Sequence, residues 1–530
     1  MKKTLMASVL TLALAASAFA APRAGDLTSG VANGDWLGFG IRDISALPDR
    51  PADTLLARAM NLAGDQGGAM LRQAGALDVR ATIKDGDFEK VDRFALAAEL
   101  KDASLAQLTQ MAPGAQAPDF TVTAPEGTKI TPVASVTAEE KVGKVNVALL
   151  ERDGAVYLIA ANGAPEVLAD MAKAPENSPL VVAKTPANIW IQVNATRETF
   201  EKSDAGLPGD FFAEFGIDDT ATTVKVIFWS NLVDVLDAAL KDDEDSPLKN
   251  KSLRDVFTGG VAVKAPLVFG QAPLYALLNL SASFLPENFK LSDIAPAEDA
   301  AEAEKEVVAQ ISQAGYTWED LVKQLRGNTT IGFAGKLSAP MVGEIPGVFV
   351  NVTGIDAAKA KGILDLAAAQ LGGMLGTPAG YNANGWTGYQ FSGMVSLLLA
   401  TGPDGLLAAA MNADQFGTVS DVPAGMASAV EPRNVALAFN LKELQPVLKR
   451  VFEQWGDQLL EMAGESAKSQ KATIQMVLDN MGYLETFSIV TVDENTIVFE
   501  FTPSAELVNQ ALPPAPAAEA PAPAEVKPAA

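Results

Sequence analysis

Two distant stretches of the chain share one pattern of hydrophobic and polar positions. Residues 186–200 read PANIWIQVNATRETF, in which Ile and Val alternate with other residues before a polar, helix-like sequence begins. Residues 432–444 read PRNVALAFNLKEL and repeat the order of a Pro, an Asn, an alternating run and a helix start. Alternation with a period of two is typical of a strand with one buried side. We therefore predict a strand followed by a helix at both places, with Ile191 and Leu437 on the buried side.

The repetition extends to neighbouring positions. Asn188 and Asn434 are 246 positions apart, and Asn162 and Asn412, which each follow an apolar strand-like run, are 250 apart. A third, fainter start follows Asp35. We interpret the chain as degenerate tandem copies of one α+β module, because the spacing is far longer than the period of a solenoid repeat. The alternative is that any α+β chain yields similar strand–helix pairs by chance.

The predicted organisation has five parts. A signal peptide occupies residues 1–20, and three α+β modules occupy residues 21–180, 181–430 and 431–505. The second module is enlarged by inserted helices and the third is truncated. A Pro- and Ala-rich tail, residues 506–530, can bury too little apolar surface to fold, so we predict that it is disordered. A spacer role for the tail and an idle terminus are equal alternatives.

Local signals define the elements within the modules. The Asp-Gly pair at 153–154 and the Asn-Gly pair at 384–385 separate alternating runs and predict tight hairpins, because these residues tolerate a positive φ. Asp356 is placed to cap a helix, and an apolar stripe predicts another helix over residues 54–73. Helices mixed with hairpins predict an α+β fold of largely antiparallel sheets with packed helices.

The first residues have the features of a secretory leader. Two Lys residues precede an apolar stretch at 5–16, and residues 18–20 read AFA, a small-x-small cleavage site. We expect cleavage after Ala20 and export to the periplasm or the cell surface of a bacterium. Retention as a membrane anchor is the alternative, which the short apolar core disfavours. No later transmembrane segment is expected, because the uncharged stretch 266–286 contains three Pro residues and alternates like buried strands.

Composition and charge narrow the range of partners. The chain is 48% hydrophobic, which is enough for a sizeable core, and its formal net charge is −25. Such a charge repels nucleic acid, so no nucleic-acid partner is expected. We interpret the acidity as a means of staying soluble outside the cytoplasm. The expected partner is a cell-envelope component or a small apolar ligand, and the oligomeric state is left open.

The absence of two residue types limits the chemistry. The chain contains no His and no Cys, which removes the commonest general base and metal ligand, thiol catalysis and thiolate metal sites. Carboxylate, Lys and Tyr chemistry remains, but 65 acidic residues are too many to nominate a catalytic pair. The Ser-x-x-Lys match at 246–249 is interpreted as a surface turn and the acidic run at 242–246 as a solvated loop. We predict no catalytic residue, no cofactor and no metal site.

The aromatic residues indicate one candidate binding site. Trp190 and Trp229 lie on predicted strands and Trp455 on a predicted helix, which favours core packing. Trp386 lies beside a predicted turn. Together with Tyr381 it is the candidate for ligand binding, because aromatic side chains on loops often serve in recognition.

One pattern resembles a known group of proteins. A strand-like run ends in a small-residue turn at Asn162 or Asn412, and a short helix and the next strand follow. This order resembles the repeated α+β modules of uncharacterised bacterial exported proteins. The resemblance implies an envelope location, but neither an activity nor functional residues. We expect an exported, non-enzymatic envelope protein with a binding or structural role; the alternatives are a carboxylate-based hydrolase, for example of glycans, and a carrier of an apolar ligand.

Overall fold

The computed structural model describes twenty stretches of the chain. They are residues 27–28, 34–42, 74–84, 87–100, 117–137, 143–152, 154–173, 184–202, 209–219, 223–242, 252–257, 273–294, 297–312, 315–339, 343–383, 385–392, 396–402, 406–411, 422–463 and 471–505. The predicted signal peptide, the predicted helix at 54–73, the Ser-x-x-Lys match and the predicted tail at 506–530 lie outside these stretches.

Strands dominate the described residues. In chain order they are β1 (Trp36–Ile41), β2 (Ala74–Lys84), β3 (Asp87–Leu100), β4 (Thr128–Thr137), β5 (Lys144–Arg152), β6 (Ala155–Asn162), β7 (Ile189–Ala195), β8 (Phe211–Asp219), β9 (Val224–Ser230), β10 (Leu274–Leu280), β11 (Thr329–Ala339), β12 (Gly343–Val352), β13 (Ala379–Ala383), β14 (Trp386–Phe391), β15 (Leu397–Thr401), β16 (Leu407–Ala410), β17 (Val435–Asn440), β18 (Leu484–Thr491) and β19 (Thr496–Pro503).

Nine α-helices accompany the strands in the described stretches. They are α1 (Glu166–Lys173), α2 (Arg197–Lys202), α3 (Leu232–Asp242), α4 (Leu253–Val256), α5 (Ala297–Ile311), α6 (Trp318–Arg326), α7 (Ala357–Leu375), α8 (Leu441–Ala463) and α9 (Lys471–Asn480). Short 3-10 helices lie at Leu291–Asp293, Ala424–Ala429 and Met481–Tyr483. The mixture confirms the predicted α+β class, with the strands in the majority.

All nineteen strands belong to one antiparallel sheet. From edge to edge the order is β4-β5-β6-β3-β2-β1-β7-β8-β9-β19-β18-β17-β10-β11-β12-β16-β15-β14-β13. We call β1 to β9 the first half and β10 to β19 the second half. The two halves meet where β9 pairs with β19. The sequence predicted antiparallel sheets, and the structure joins them into a single one.

Several local predictions are confirmed. β7 and β17 are strands, and α2 and α8 follow them. Gly154 forms the hairpin turn between β5 and β6 with a φ of 80°, and the Asp356 side chain accepts a hydrogen bond from the backbone N–H of Ala358 at the start of α7. The described part of the 266–286 stretch contains strand β10. The three predicted modules stay a prediction, and the β1–β7 and β10–β17 pairs cross two of their bounds.

Helices and short segments pack on both faces of the sheet. In the first half, Leu168 and Met171 of α1 pack on alanines of β3, β5 and β6. In the second half, Met426 of the Ala424–Ala429 helix packs on β10 and β17. Helix α7 packs on the opposite face of β14 and β15 through Leu364. Within the described stretches, no helix is both long enough and apolar enough to cross a membrane.

Candidate functional site

The two faces of the central strands differ in polarity and in burial. Directly paired residues of antiparallel strands project to the same face, so the strand registers assign each side chain to one of two faces. The covered face carries Trp36, Trp190 and Gln192, which are buried. The apolar face carries two adjacent rows of residues that run across the strands. One row contains the cross-strand pair of Phe39 and Ile191, and the other contains the pair of Ile41 and Ile189. Polar groups lie on the buried face and apolar groups on the more exposed one, which is the reverse of the usual distribution.

A buried polar cluster lies on the covered face of the first half. Arg80 forms an ion pair with Asp78, with 3.2 Å between Arg80 Nε and Asp78 Oδ1. Arg80 Nη2 donates to Gln192 Oε1 at 3.1 Å, and Gln192 Nε2 donates to Glu214 Oε2 at 2.7 Å. Thr28 Oγ1 donates to Asp78 Oδ1 at 2.6 Å and accepts from Arg80 Nε at 3.2 Å. The cluster therefore ties β2, β7 and β8 to the chain near residue 28.

Two indole rings and two glycines seat the arginine. The guanidinium carbon of Arg80 lies 4.5 Å from the ring centroid of Trp36 and 5.6 Å from that of Trp190. A Cβ on Gly38 would lie 3.1 Å from the Trp36 ring, and a Cβ on Gly40 would overlap the Trp190 ring. The absence of side chains at these two positions of β1 leaves room for Trp190 and Arg80 beside the strand. A cation over an aromatic face is stabilised by the ring quadrupole.

The cluster is structural in character. Arg80, Gln192 and Glu214 are each 0% exposed and are enclosed within the fold. Glu214 also accepts hydrogen bonds from the backbone N–H groups of Lys184 and Thr185, both at 2.8 Å, and from Thr185 Oγ1 at 2.7 Å. A carboxylate with this many donors acts as an anchor for the segment that lies over it. This cluster was not predicted from the sequence. The sequence feature that could have indicated it is the presence of charged or amide residues within strands of alternating pattern, at positions that face the covered side.

A smaller polar cluster lies where the two halves meet. Glu500 of β19 is directly opposite Lys225 of β9, and Lys225 Nζ lies 2.6 Å from Glu500 Oε1. Ser428 and Ser488 donate hydrogen bonds to the same carboxylate. Burial raises the pKa of Glu500, but the hydrogen bonds from Lys225 and Ser428 and the charge of Lys225 outweigh it and hold the pKa below its ordinary value. The ion pair therefore links the halves across the covered face.

The apolar face contains a continuous line of side chains, one from each of eight adjacent strands. We call this line the transverse row; it consists of Phe39, Ile191, Phe215, Phe228, Ile497, Thr491, Val435 and Leu280. Five of its members are between 37% and 43% exposed: Phe39, Ile191, Phe215, Val435 and Leu280. The rings of Phe215 and Phe228 lie 4.9 Å apart. The row forms a strip of accessible hydrocarbon on the sheet.

The predicted burial of Ile191 is wrong. Ile191 is 40% exposed, whereas Trp190 and Gln192 on its two sides are buried. Alternation separates the two faces of a strand but does not say which of them is covered. Leu437, at the matching place in β17, is half-buried. In this structure the covered face is the one that contains Trp190, and the apolar face, which contains Ile191, stays more accessible.

The two residues predicted to bind a ligand lie in the outer part of the second half. Trp386 is the first residue of β14 and is 5% exposed, with its ring over Gly402. Tyr381 lies on the edge strand β13, is half-buried, and packs against the same core. The two side chains belong to one hydrophobic cluster, and their role in ligand binding stays a prediction. Trp190 is buried as expected, and Trp229 is half-buried with Lys184 Nζ 5.5 Å from its ring centroid.

We next consider whether the described stretches contain residues arranged for metal binding or catalysis. Across these residues, no group of three Asp, Glu, His or Cys side chains is placed to hold a metal ion. The two polar clusters of the covered face have hydrogen-bonded carboxylates and little exposed surface. The apolar face differs from both clusters in carrying large apolar side chains that are more than a third exposed. Comparison with protein-family models, with curated proteins and with solved structures finds no match for this chain.

Proposed function

We propose that the protein is an exported, non-enzymatic binding protein of the bacterial envelope and that its apolar face holds an apolar ligand. One observation carries the proposal: the central sheet leaves accessible its hydrocarbon side and buries its charged side. Large apolar side chains that stay partly exposed in a contiguous strip mark binding surfaces. Covering them is favourable by about 25 cal/mol for each Å² removed from water.

The chemistry of the face favours a small apolar ligand over a macromolecule. The two rows of the apolar face contain Ile, Leu, Val and Phe and, on β18, Thr491. The chain as a whole has a net charge of −25, so two copies repel each other, as do the chain and an acidic partner. An uncharged hydrocarbon does not experience this repulsion.

Two observations support a non-enzymatic role. The chain lacks His and Cys, the residues that most often act as general base or thiol nucleophile. Glu214 and Glu500 are each less than 10% exposed and are hydrogen-bonded within the fold. A glycan hydrolase would need two carboxylates that face a substrate from opposite sides.

The order of strands supports an internal duplication, which we propose as the origin of the sheet. Outward from the centre, the first half runs β9-β8-β7-β1-β2-β3-β6-β5-β4, and the second runs β19-β18-β17-β10-β11-β12-β16-β15-β14, with β13 added at its edge. Each half thus follows the same path in chain order. On this proposal the copies are β1 to β9 and β10 to β19, and β7 and β17 are equivalent strands.

The junction of the halves supports the same proposal. Ile227 pairs with Val498 at the centre of β9 and β19. On one side of this pair Trp229 lies opposite Thr496, and on the other Lys225 lies opposite Glu500. Corresponding strands that pair antiparallel about a central residue pair have the geometry of a two-fold axis, which is how two copies of one chain associate in a symmetric dimer.

Binding of an uncharged fluorescent probe tests the proposed function. N-phenyl-1-naphthylamine should bind the purified mature protein and gain fluorescence. Ile191→Lys places a charge in the transverse row and should weaken binding at least tenfold. Val477→Lys is the matched control, because Val477 is 52% exposed on α9, away from the row. Absence of binding, or equal affinity of the wild type and Ile191→Lys, would contradict the proposal.

Export is tested separately. The proposed envelope location depends on the leader at residues 1–20, whose cleavage should leave Ala21 as the first residue of the exported protein. N-terminal sequencing of the periplasmic and secreted fractions checks this. Recovery of Met1 in those fractions, or of all the protein in the cytoplasm, would contradict export.

A further inference from the structure

We infer that the ligand of the apolar face is a long linear hydrocarbon chain that lies across the strands, along the transverse row. The inference rests on the proposed function and specifies the class of ligand and its direction. Three features of the row support it: its length, its small width and the absence of a free side-chain hydrogen-bond donor along it.

The length of the row suits an extended chain. Neighbouring strands lie about 4.8 Å apart, so eight strands give the row a length of about 34 Å. Each strand contributes one side chain, from Phe39 on β1 to Leu280 on β10. The five members that are between 37% and 43% exposed lie in both halves, three on one side of the junction and two on the other. A compact ligand would cover only part of such a line.

The accessible strip is narrow. On the same face, one residue pair along the strands from Ile191 and Phe215, Ile189 and Ala213 are buried, and their partners Ile217 and Val193 are half-buried. The most exposed side chains of this face at β7 and β8 therefore form a line one side chain wide. This width fits a single hydrocarbon chain and is too small for the contact surface of a second protein, which needs about 800 Å² on each partner.

The row ends at packed cores. Beyond Phe39, the paired residue Val79 packs on a core that includes Leu96, which is 1% exposed. Beyond Leu280, the paired residue Thr329 leads to Val352, which packs on Tyr316 and its neighbours. The line of the row is thus bounded at both ends, which sets an upper limit on the length of chain that it can cover. Phe333 of β11, which is 41% exposed, is on the same face but lies two same-face residue pairs away from the end of the row.

The polar member of the row is occupied within the protein. Thr491 Oγ1 accepts a hydrogen bond from the backbone N–H of Val435 at 3.0 Å and donates to the Val435 carbonyl at 3.1 Å. The one donor of this side chain and one of its two acceptor lone pairs are therefore used within the protein. The row therefore offers no free side-chain donor to a ligand head group, which favours a hydrocarbon along it.

A series of uncharged linear alcohols tests the inference. Each alcohol is titrated against the N-phenyl-1-naphthylamine complex of the mature protein. Affinity should increase about fourfold for each added methylene until the row is filled, and a cyclic alcohol of equal carbon number should bind at least tenfold more weakly. Equal affinity of cyclic and linear alcohols would overturn the inference while leaving the proposed function in place. Failure of the probe and of every alcohol to bind would overturn both.

Variants in the two halves test the direction of the chain. Phe39→Lys and Val435→Lys place a charge in the row in the first and the second half, and circular dichroism checks that both variants fold. The longest alcohol should lose affinity in both variants, and the shortest in at most one of them. Loss in neither variant, or a change from monomer to dimer on addition of the alcohol in analytical ultracentrifugation, would overturn the inference.

Discussion

Strands β2 and β11 hold the same place in the two halves of the sheet, but their covered faces are filled in different ways. On β2, Arg80 lies opposite Gly38 and Ala95. On β11, Gly332 lies opposite Leu277 and Phe349. Arg80 is 0% exposed and Phe349 is 1% exposed. The large side chain is thus on β2 in the first half and on β12, the neighbour of β11, in the second.

One backbone arrangement therefore accepts two kinds of core. Interiors are packed to high density, so a large side chain on one strand requires a small one beside it. In the second half the Phe349 ring occupies the space that a Cβ on Gly332 would need. In the first half the space is filled by a charged group, and a buried charge is tolerated only with its partners in place. The first half should therefore be the more sensitive to loss of a single partner.

Removal of the charge from Arg80 should have the largest effect. Arg80→Met keeps the length of the side chain but leaves the Asp78 carboxylate buried without its cation. We expect a loss of about 3–5 kcal/mol in the free energy of unfolding, measured by urea denaturation. The double variant Asp78→Asn/Arg80→Met should lose less than Arg80→Met alone. A double variant that is as unstable as the single one would show that the ion pair is not the cause.

Truncation of the corresponding apolar side chain should cost somewhat less. Phe349→Ala removes a fully buried ring from the core of the second half, and we expect a loss of about 3 kcal/mol in the free energy of unfolding. Ala95→Gly in the first half is the control, because it changes the matching position of β3 by one methyl group. Urea denaturation that gives a loss below about 0.5 kcal/mol for Phe349→Ala, a value typical of surface sites, would contradict the packing described here.

The small partner should be sensitive to added volume. A Cβ on Gly332 would overlap the Phe349 ring, so Gly332→Ala should lower the free energy of unfolding by about 1–3 kcal/mol. In the double variant Gly332→Ala/Phe349→Ala, the new methyl group has room. The sum of the losses of the two single variants should therefore exceed the loss of the double variant, because residues in contact are energetically coupled. Additive losses in urea denaturation would contradict contact between the two positions.

The sequence was sufficient to predict local structure but insufficient to predict which strands pair with each other. The Asp-Gly turn before β6 and the Asp356 cap were predictable because each depends on residues close in sequence. The pairing of β9 with β19 joins Ile227 to Val498, and no local signal specifies such a distant partner. The same limit explains Ile191, which was predicted to be buried and is 40% exposed. Alternation gives the two faces, and only the tertiary arrangement decides which one is covered.

The candidate binding surface could not be predicted from the sequence for a related reason. The transverse row takes one residue from each of eight strands, and a line across the strands becomes visible only when every register is known. The buried cluster was hidden because Asp78, Arg80, Gln192 and Glu214 are separated along the chain and carry no motif. Trp386 was favoured as loop-like because of the adjacent turn, but its ring points into a core.

The junction between the halves gives the smallest expected effect, a change in pH dependence. The pKa of Glu500 lies below its ordinary value of 4.5 in the folded protein. A depressed pKa means that the ionised carboxylate favours the folded state above about pH 4.5, and that this stabilisation is lost as the pH falls through the folded pKa.

Glu500→Gln removes the titration and the pair with Lys225. The melting temperature of Glu500→Gln should therefore be lower than that of the wild type at pH 7, and the difference should shrink as the pH falls below 4.5. Glu453→Gln, at an exposed position of α8, is the matched control and should leave the difference near zero at every pH. A difference for Glu500→Gln that stays constant between pH 7 and pH 3 would mean that the carboxylate contributes to packing rather than through its charge, and the ion pair across the junction would not be what joins the two halves.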